Sequence, residues 1–140
     1  MKKEEALNAE LLKSAGSKVT PQRLALLSVL RKARKPLSVE RIMAGLQGRM
    51  DRVTVYRALE ALQKAGITRR VDMGHTHAHY ELEGTEHHHH LICKKCGRIE
   101  DVLQCPVGDL ERRVLRSSTH FKKIEGHALE FFGLCTSCSV

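Results

Sequence analysis

The sequence predicts an α+β chain: a helical first part, residues 1–83, that ends in a hairpin, then a small α/β part, residues 84–140, closed by a metal ion. Three observations carry this. Apolar residues recur at helical spacing as far as Leu62. The stretch E-H-H-H-H-L-I-C-K-K-C-G, Glu86 to Gly97, runs four histidines into a Cys-x-x-Cys pair, and a second such pair follows at Cys135 and Cys138. Charge divides in the same way. Residues 1–70 hold 16 Lys/Arg against 6 Asp/Glu and residues 71–140 hold 8 against 10, so +10 and −2 make up the total of +8. A basic half joined to a slightly acidic, His/Cys-rich half suggests a polyanion reader coupled to a metal binder.

Taken in order, Ala6, Leu7, Leu11 and Leu12 set a first helix over residues 5–14, ending near Gly16. Thr20 then offers an N-cap and Pro21 the first helical position of a second helix. Leu24, Leu27, Val29 and Leu30 supply its buried face, and Lys35-Pro36 stops it. Ser38 caps a third helix through Leu46, with Ile42, Met43 and Leu46 inward and Gly48 as its end. A fourth runs from near Asp51 to Ala65, and Val55, Leu59 and Leu62 mark its packed face. The last two helices, joined by a short glycine-containing link, read as a helix-turn-helix. Arg52, Thr54, Tyr56 and Arg57 stand at the start of the second one, where a recognition helix needs side chains that reach base edges or phosphates. Ile67–Val71 and Ala78–Leu82 read as two strands, which makes the first part a winged helix with its wing near Met73–His75.

In the second part, Leu91–Cys93 and Arg98–Leu103 read as strands around the C-K-K-C-G knuckle. Val107, Leu110 and Val114 mark an amphipathic helix ending near Ser118, and Lys122–Gly126 and Ala128–Leu134 read as further strands. Cys93, Cys96, Cys135 and Cys138 give the strongest chemical signal: four thiolates saturate Zn(II), so such a site is structural and leaves no open position for catalysis. Along an extended strand the histidines alternate between faces, His87 and His89 one way, His88 and His90 the other. Two further metal sites, on opposite sides, are the expectation. His75, His77 and His79 also alternate onto one face of the wing strand and would complete one of these sites or form an extra one. Cys105, beside Pro106 and without a partner in sequence, reads as a buried thiol. No run of about 18 apolar residues suggests a membrane span, and the N-terminus lacks the apolar stretch of a secretory signal. The expectation is a cytoplasmic protein with reduced or metal-bound cysteines.

The run T-V-Y-R-A-L (Thr54 to Leu59), the A-G-S-K-V-T-P-Q-R entry (Ala15 to Arg23), H-H-H-H-L-I-C-K-K-C-G and H-A-L-E-F-F-G-L-C-T-S-C together resemble the ferric uptake regulator superfamily, in the same order and over nearly the whole chain. The resemblance implies a homodimeric, metal-dependent transcription factor, mostly repressing, with a winged helix followed by an α/β dimerisation domain. By that similarity Lys18 enters the minor groove of operator DNA, Arg23 contacts phosphate, and Tyr56 and Arg57 read the major groove. Beside the structural zinc, it implies a regulatory site of His87, His89, Glu111 and His127 in the dimerisation domain. It implies another, interdomain, of Glu81, His88, His90 and Asp101. The corepressor would be Zn(II) or Fe(II), and the controlled genes those of metal uptake. Iron and peroxide sensors of the family usually supply a histidine just before the third helix. None stands in Lys35-Pro36-Leu37-Ser38, which leans toward the zinc uptake regulator branch.

Two rivals stand beside this reading. One is a peroxide-sensing member of the same family. The other is an enzyme, since His79-Tyr80-Glu81 followed by Cys93-x-x-Cys96 superficially resembles a zinc nucleobase deaminase. Against the enzyme, Ile92 and not proline precedes Cys93, and the second cysteine pair has no place there.

Overall fold

The computed structural model describes residues 2–74, 77–84, 88–103, 105 and 107–139, so the candidate ligands His75 and His87 lie outside the described residues. The chain divides into two compact units, Met1–Gly84 and Thr85–Val140.

The first unit holds α1 (Lys2–Ser14), α2 (Pro21–Ala33), β1 (Leu37–Ser38), α3 (Val39–Leu46), α4 (Arg52–Lys64), β2 (Thr68–Val71) and β3 (His79–Leu82). The first turn of a helix leaves backbone N–H groups without partners, and short polar side chains meet that need at three starts. Thr20 accepts from the Arg23 N–H at 3.1 Å, Ser38 from Arg41 at 3.3 Å and Asp51 from Thr54 at 2.7 Å. Between α3 and α4 the chain turns through two left-handed residues, Gln47 at φ 51° and Gly48 at φ 79°. Leu12, Leu26, Leu27, Leu30, Ile42, Leu46, Val55, Leu59, Leu62 and Ile67 form the core. Leu7 points outward, 53% exposed, and Asn8 is the buried residue instead. Its carboxamide accepts from Arg31 Nε at 2.9 Å, so a polar side chain occupies the inner face of α1 with its hydrogen bond made. Leu24, Val29 and Met43, expected inside, are only partly buried at the rim of this core.

The sheet of this unit has the order β1-β3-β2, antiparallel throughout, with Leu37 opposite Tyr80 and Val71 opposite His79. β1 is too short, and too close to Pro36, to show as a strand pattern. The wing strand is shorter than the alternation suggested. It begins at His79, while Asp72 accepts from the Gly74 N–H at 2.8 Å and turns the chain before the strand starts. His77 therefore lies in the loop and not on a strand face shared with His79.

The second unit holds β4 (His89–Cys93), β5 (Ile99–Val102), α5 (Gly108–Ser117) and β6 (Glu130–Gly133). Its sheet has the order β5-β4-β6, with β4 antiparallel to β5 and parallel to β6. A parallel neighbour requires a long crossover, here the segment carrying β5 and α5. Lys122–Gly126, expected as a strand, forms none: it borders no described strand, and its side chains are mostly in solvent, Lys123 pairing with Glu125 at 3.2 Å. In α5 no residue is buried; Val107 just before it is, whereas Leu110 and Val114 are exposed. Among the described residues no helix is long and apolar enough to cross a membrane.

Candidate metal centres and nucleic-acid face

The parallel register sets Cys93 opposite Gly133, so the knuckle after β4 and the segment after β6 emerge side by side. Each makes a tight turn: Gly97 N–H donates to the Cys93 carbonyl at 2.9 Å, with Gly97 at φ 79°, and Cys138 N–H donates to the Cys135 carbonyl at 3.0 Å. Ligand atoms of Cys93, Cys96, Cys135 and Cys138 all lie within 4.8 Å of one another, and the Cys96 and Cys135 sulfurs are 3.7 Å apart. Zn–S bonds of about 2.3 Å in a tetrahedron put sulfurs about 3.8 Å apart. The donor set fits Zn(II). Its electrostatics favour thiolate as well. Backbone N–H groups of Cys96 and then Cys135 aim at the Cys93 sulfur and hold its thiol down to about 5. Burial works against ionising Cys135, but hydrogen bonds from Cys138 and Cys96 outweigh it and keep that thiol below its usual range. Cys138, donating to Cys135 and partly buried, is pushed up to about 12. Zinc binding here would displace the protons still held, that of Cys138 foremost.

A second cluster sits at the other end of β4. His89 Nε2 lies 3.1 Å from His127 Nε2 and 3.4 Å from Cys105 Sγ, and Cys105 Sγ lies 3.5 Å from His127 Nε2. The two imidazoles stack with centroids 4.9 Å apart. Each ring turns its other nitrogen to an oxygen: His89 Nδ1 to the Leu129 carbonyl at 3.0 Å, His127 Nδ1 to the Glu111 carboxylate of α5. Of the ligands expected together here, the structure joins His89, Glu111 and His127, and His87 lies outside the described residues. Cys105 was missed. It is exposed and shares a cluster with two histidines, where a buried, isolated thiol was expected. A thiol between two distant histidines has no spacing to betray it, so only the fold could find it.

The alternation of the histidine run is visible at His90, which faces different neighbours from His89. It is fully buried; its Nδ1 is 2.8 Å from Glu130 Oε2, and the same oxygen accepts from the His90 backbone N–H at 3.1 Å. Asp101, opposite on β5, is farther, 3.9 Å from Nε2. His88 meets His90 edge to face at 5.0 Å. Glu130 was not foreseen: it is 40 residues away in sequence and reaches His90 only through the parallel register. In the first unit Glu81 is buried, its carboxylate 2.6 Å from Arg69 Nε.

On the first unit, Lys18, Arg23, Thr54 and Arg57 line one open cleft of ≈ 240 Å³. Arg23 reaches back to the Lys18 carbonyl at 3.3 Å, tying the approach to α2 to the start of that helix. Tyr56 of α4 is 45% exposed but is not part of its lining. Arg52 stands apart from it, held at 3.0 Å by Glu40 of α3. A hydrogen bond from its own backbone first, and then the pairing with Arg52, hold the Glu40 carboxyl below its usual range, and the same pairing raises the guanidinium.

A winged helix-turn-helix followed by a small α/β unit that carries a four-cysteine cluster defines a metal-binding transcription regulator. The comparisons agree. The model of the Ferric uptake regulator family matches residues 14–132, and the chain belongs to that family. It is 34% identical over 134 residues to the ferric uptake regulation protein of Legionella pneumophila, covering 93% of this chain and 97% of that one. It is 32% identical over 133 residues to the peroxide operon regulator of Bacillus subtilis, covering 93% and 90%. The structure of the ferric uptake regulator of Francisella tularensis with iron superimposes at a TM-score of 0.74 with 31% identity, covering 88% of this chain and 95% of that one. The chain is therefore a metal-responsive transcription regulator and not an enzyme. The deaminase reading fails on its own geometry too, because Cys135 and Cys138 complete the set that would have to leave room for a hydroxide.

Proposed function

We propose that this protein is a homodimeric repressor of metal-uptake genes that binds operator DNA when a regulatory divalent ion, Zn(II) before Fe(II), is held by His88 and His90. Glu81 is the carboxylate expected from the first unit, and Asp101 a weaker candidate. The carrying observation is His90: a fully buried imidazole whose Nδ1 is fixed by Glu130 and whose Nε2 lies 3.9 Å from the Asp101 carboxylate. Ligating histidines are commonly oriented by a carboxylate in this way. The absence of histidine from Lys35-Pro36-Leu37-Ser38 supports zinc over iron or peroxide sensing. Lys18, Arg23, Thr54 and Arg57 supply the phosphate-facing cleft, with Tyr56 exposed on the same helix as Arg57 and Arg52 available once it leaves Glu40. Ion binding couples to DNA binding to the extent that the ion prefers the DNA-competent arrangement of the chain.

The test is a DNA-binding titration at fixed salt, with Zn(II), Fe(II) and Mn(II) in turn and the four-cysteine site kept loaded. The duplex is one selected from random-sequence DNA by the zinc-loaded protein. Wild type should bind at least 10-fold more tightly with Zn(II) than without. The double variant His88→Ala, His90→Ala should fold, keep its structural zinc and lose that gain. A double variant that retains the full response to metal eliminates the proposal.

A further inference from the structure

We propose that Cys105 is a metal ligand, forming with His89 and His127 a two-histidine, one-thiolate site for a zinc-class ion, and that Glu111 serves that site from outside as the carboxylate that orients His127. This deepens the reading of the chain as a metal-responsive regulator and rests on it. It changes the ligand set and the ion preference of the cluster near α5.

Four observations converge. The three edges of the triangle, 3.1 Å between the imidazole nitrogens and 3.4 and 3.5 Å from each to the sulfur, are those of one face of a coordination tetrahedron. Bonds of about 2.0–2.1 Å to nitrogen and about 2.3 Å to sulfur give edges of about 3.3 and 3.5 Å. Both imidazoles present the same nitrogen, Nε2, to the common centre. Both give Nδ1 to an oxygen acceptor, Leu129 or Glu111, which favours the tautomer that turns the Nε2 lone pair toward the common centre. Glu111 touches the far nitrogen of His127, which is the position of an orienting carboxylate and not of a ligand.

A thiolate in the set has a consequence for selectivity. Thiolate ligands favour Zn(II) and softer ions, whereas carboxylate and imidazole alone also accommodate Fe(II) and Mn(II). Cys105 thus biases this site against the harder ions.

The experiment uses the full-length protein with zinc retained in the four-cysteine site, verified by elemental analysis, and adds Co(II) as the probe. Thiolate-bound cobalt gives a sulfur-to-metal charge-transfer band in the near ultraviolet that nitrogen and oxygen ligands do not. Wild type should develop this band within about two equivalents of Co(II) per chain, one of them available to the proposed His88–His90 site, and Zn(II) should bleach it far more effectively than Mn(II). Cys105→Ser, a change in an exposed residue, should abolish the band while the zinc content of the four-cysteine site is unchanged. Glu111→Gln should keep the band and weaken cobalt binding about 10-fold or more. The proposal is overturned if wild type shows no band, if Cys105→Ser keeps it, or if Glu111→Gln removes cobalt from a cluster that Cys105→Ser leaves intact. None of these readouts involves DNA, and the band reports only thiolate-bound cobalt, which His88 and His90 do not supply, so they fail or succeed separately from the repressor assay.

Discussion

His90 shows how much a single side chain can depend on a remote one. Its imidazole is fully buried, and Glu130, whose carboxylate meets Nδ1, sits on the neighbouring parallel strand. The carboxylate supports the basicity and the orientation of the ring, so removing its charge should weaken any ion that Nε2 holds. Glu130→Gln keeps an acceptor of the same shape; regulatory metal affinity should fall about 10- to 100-fold, measured by competition with a metal-binding dye. Unchanged affinity would mean that His90 is buried for structural reasons alone. At this scale the sequence was uneven as a guide. The four cysteines were legible because thiolate pairs at knuckle spacing have few other uses. Glu130 and Cys105 were not, since their meaning comes from a strand register and a loop approach that no spacing encodes. The same limit explains Asn8, whose burial depends on Arg31 of another helix.

Helices and their caps were readable because local chemistry determines them: Thr20, Ser38 and Asp51 each do at their helix start what short polar residues do there. The packing of one helix on another was less so. At Gly45 of α3 an added Cβ would lie 2.8 Å from Val29 Cγ1 and 3.1 Å from Cγ2. Valine, branched at Cβ, has little rotamer freedom to move aside. Gly45→Ala gains helix propensity of about 1 kcal/mol but overpacks the α2–α3 contact by about 1–3 kcal/mol. The net expectation is a loss of about 1 kcal/mol by urea denaturation, recovered when Val29→Ala is added. A stabilised single variant would show that this contact is slack. Strands were the least readable elements, β1 because two residues carry no period and Lys122–Gly126 because its pattern lacked a ladder partner to realise it.

For the molecule as a whole, the second unit leaves much apolar side chain in solvent. Leu110 and Val114 of α5, Phe131 and Phe132 of β6, and Leu103 are all exposed in the single chain. An amphipathic helix with no buried residue has an apolar stripe still to be covered, in keeping with the proposed homodimer. Val114→Glu should shift the protein from dimer to monomer in analytical ultracentrifugation and, by removing the paired recognition helices, cost DNA affinity more than it costs zinc content. A variant still dimeric at micromolar concentration would move the interface elsewhere.

The parallel seating of β4 against β6 also bears on how such a chain is made. During synthesis the first cysteine knuckle leaves the ribosome while its counterpart, some 40 residues later in register, does not yet exist. Any zinc ion captured early is held by half its thiolates until Cys135 and Cys138 arrive. A chain interrupted before Cys135 would thus lose the final sheet strand's anchor as well as two ligands, leaving an intact first unit attached to a second whose thiolate clasp is half built.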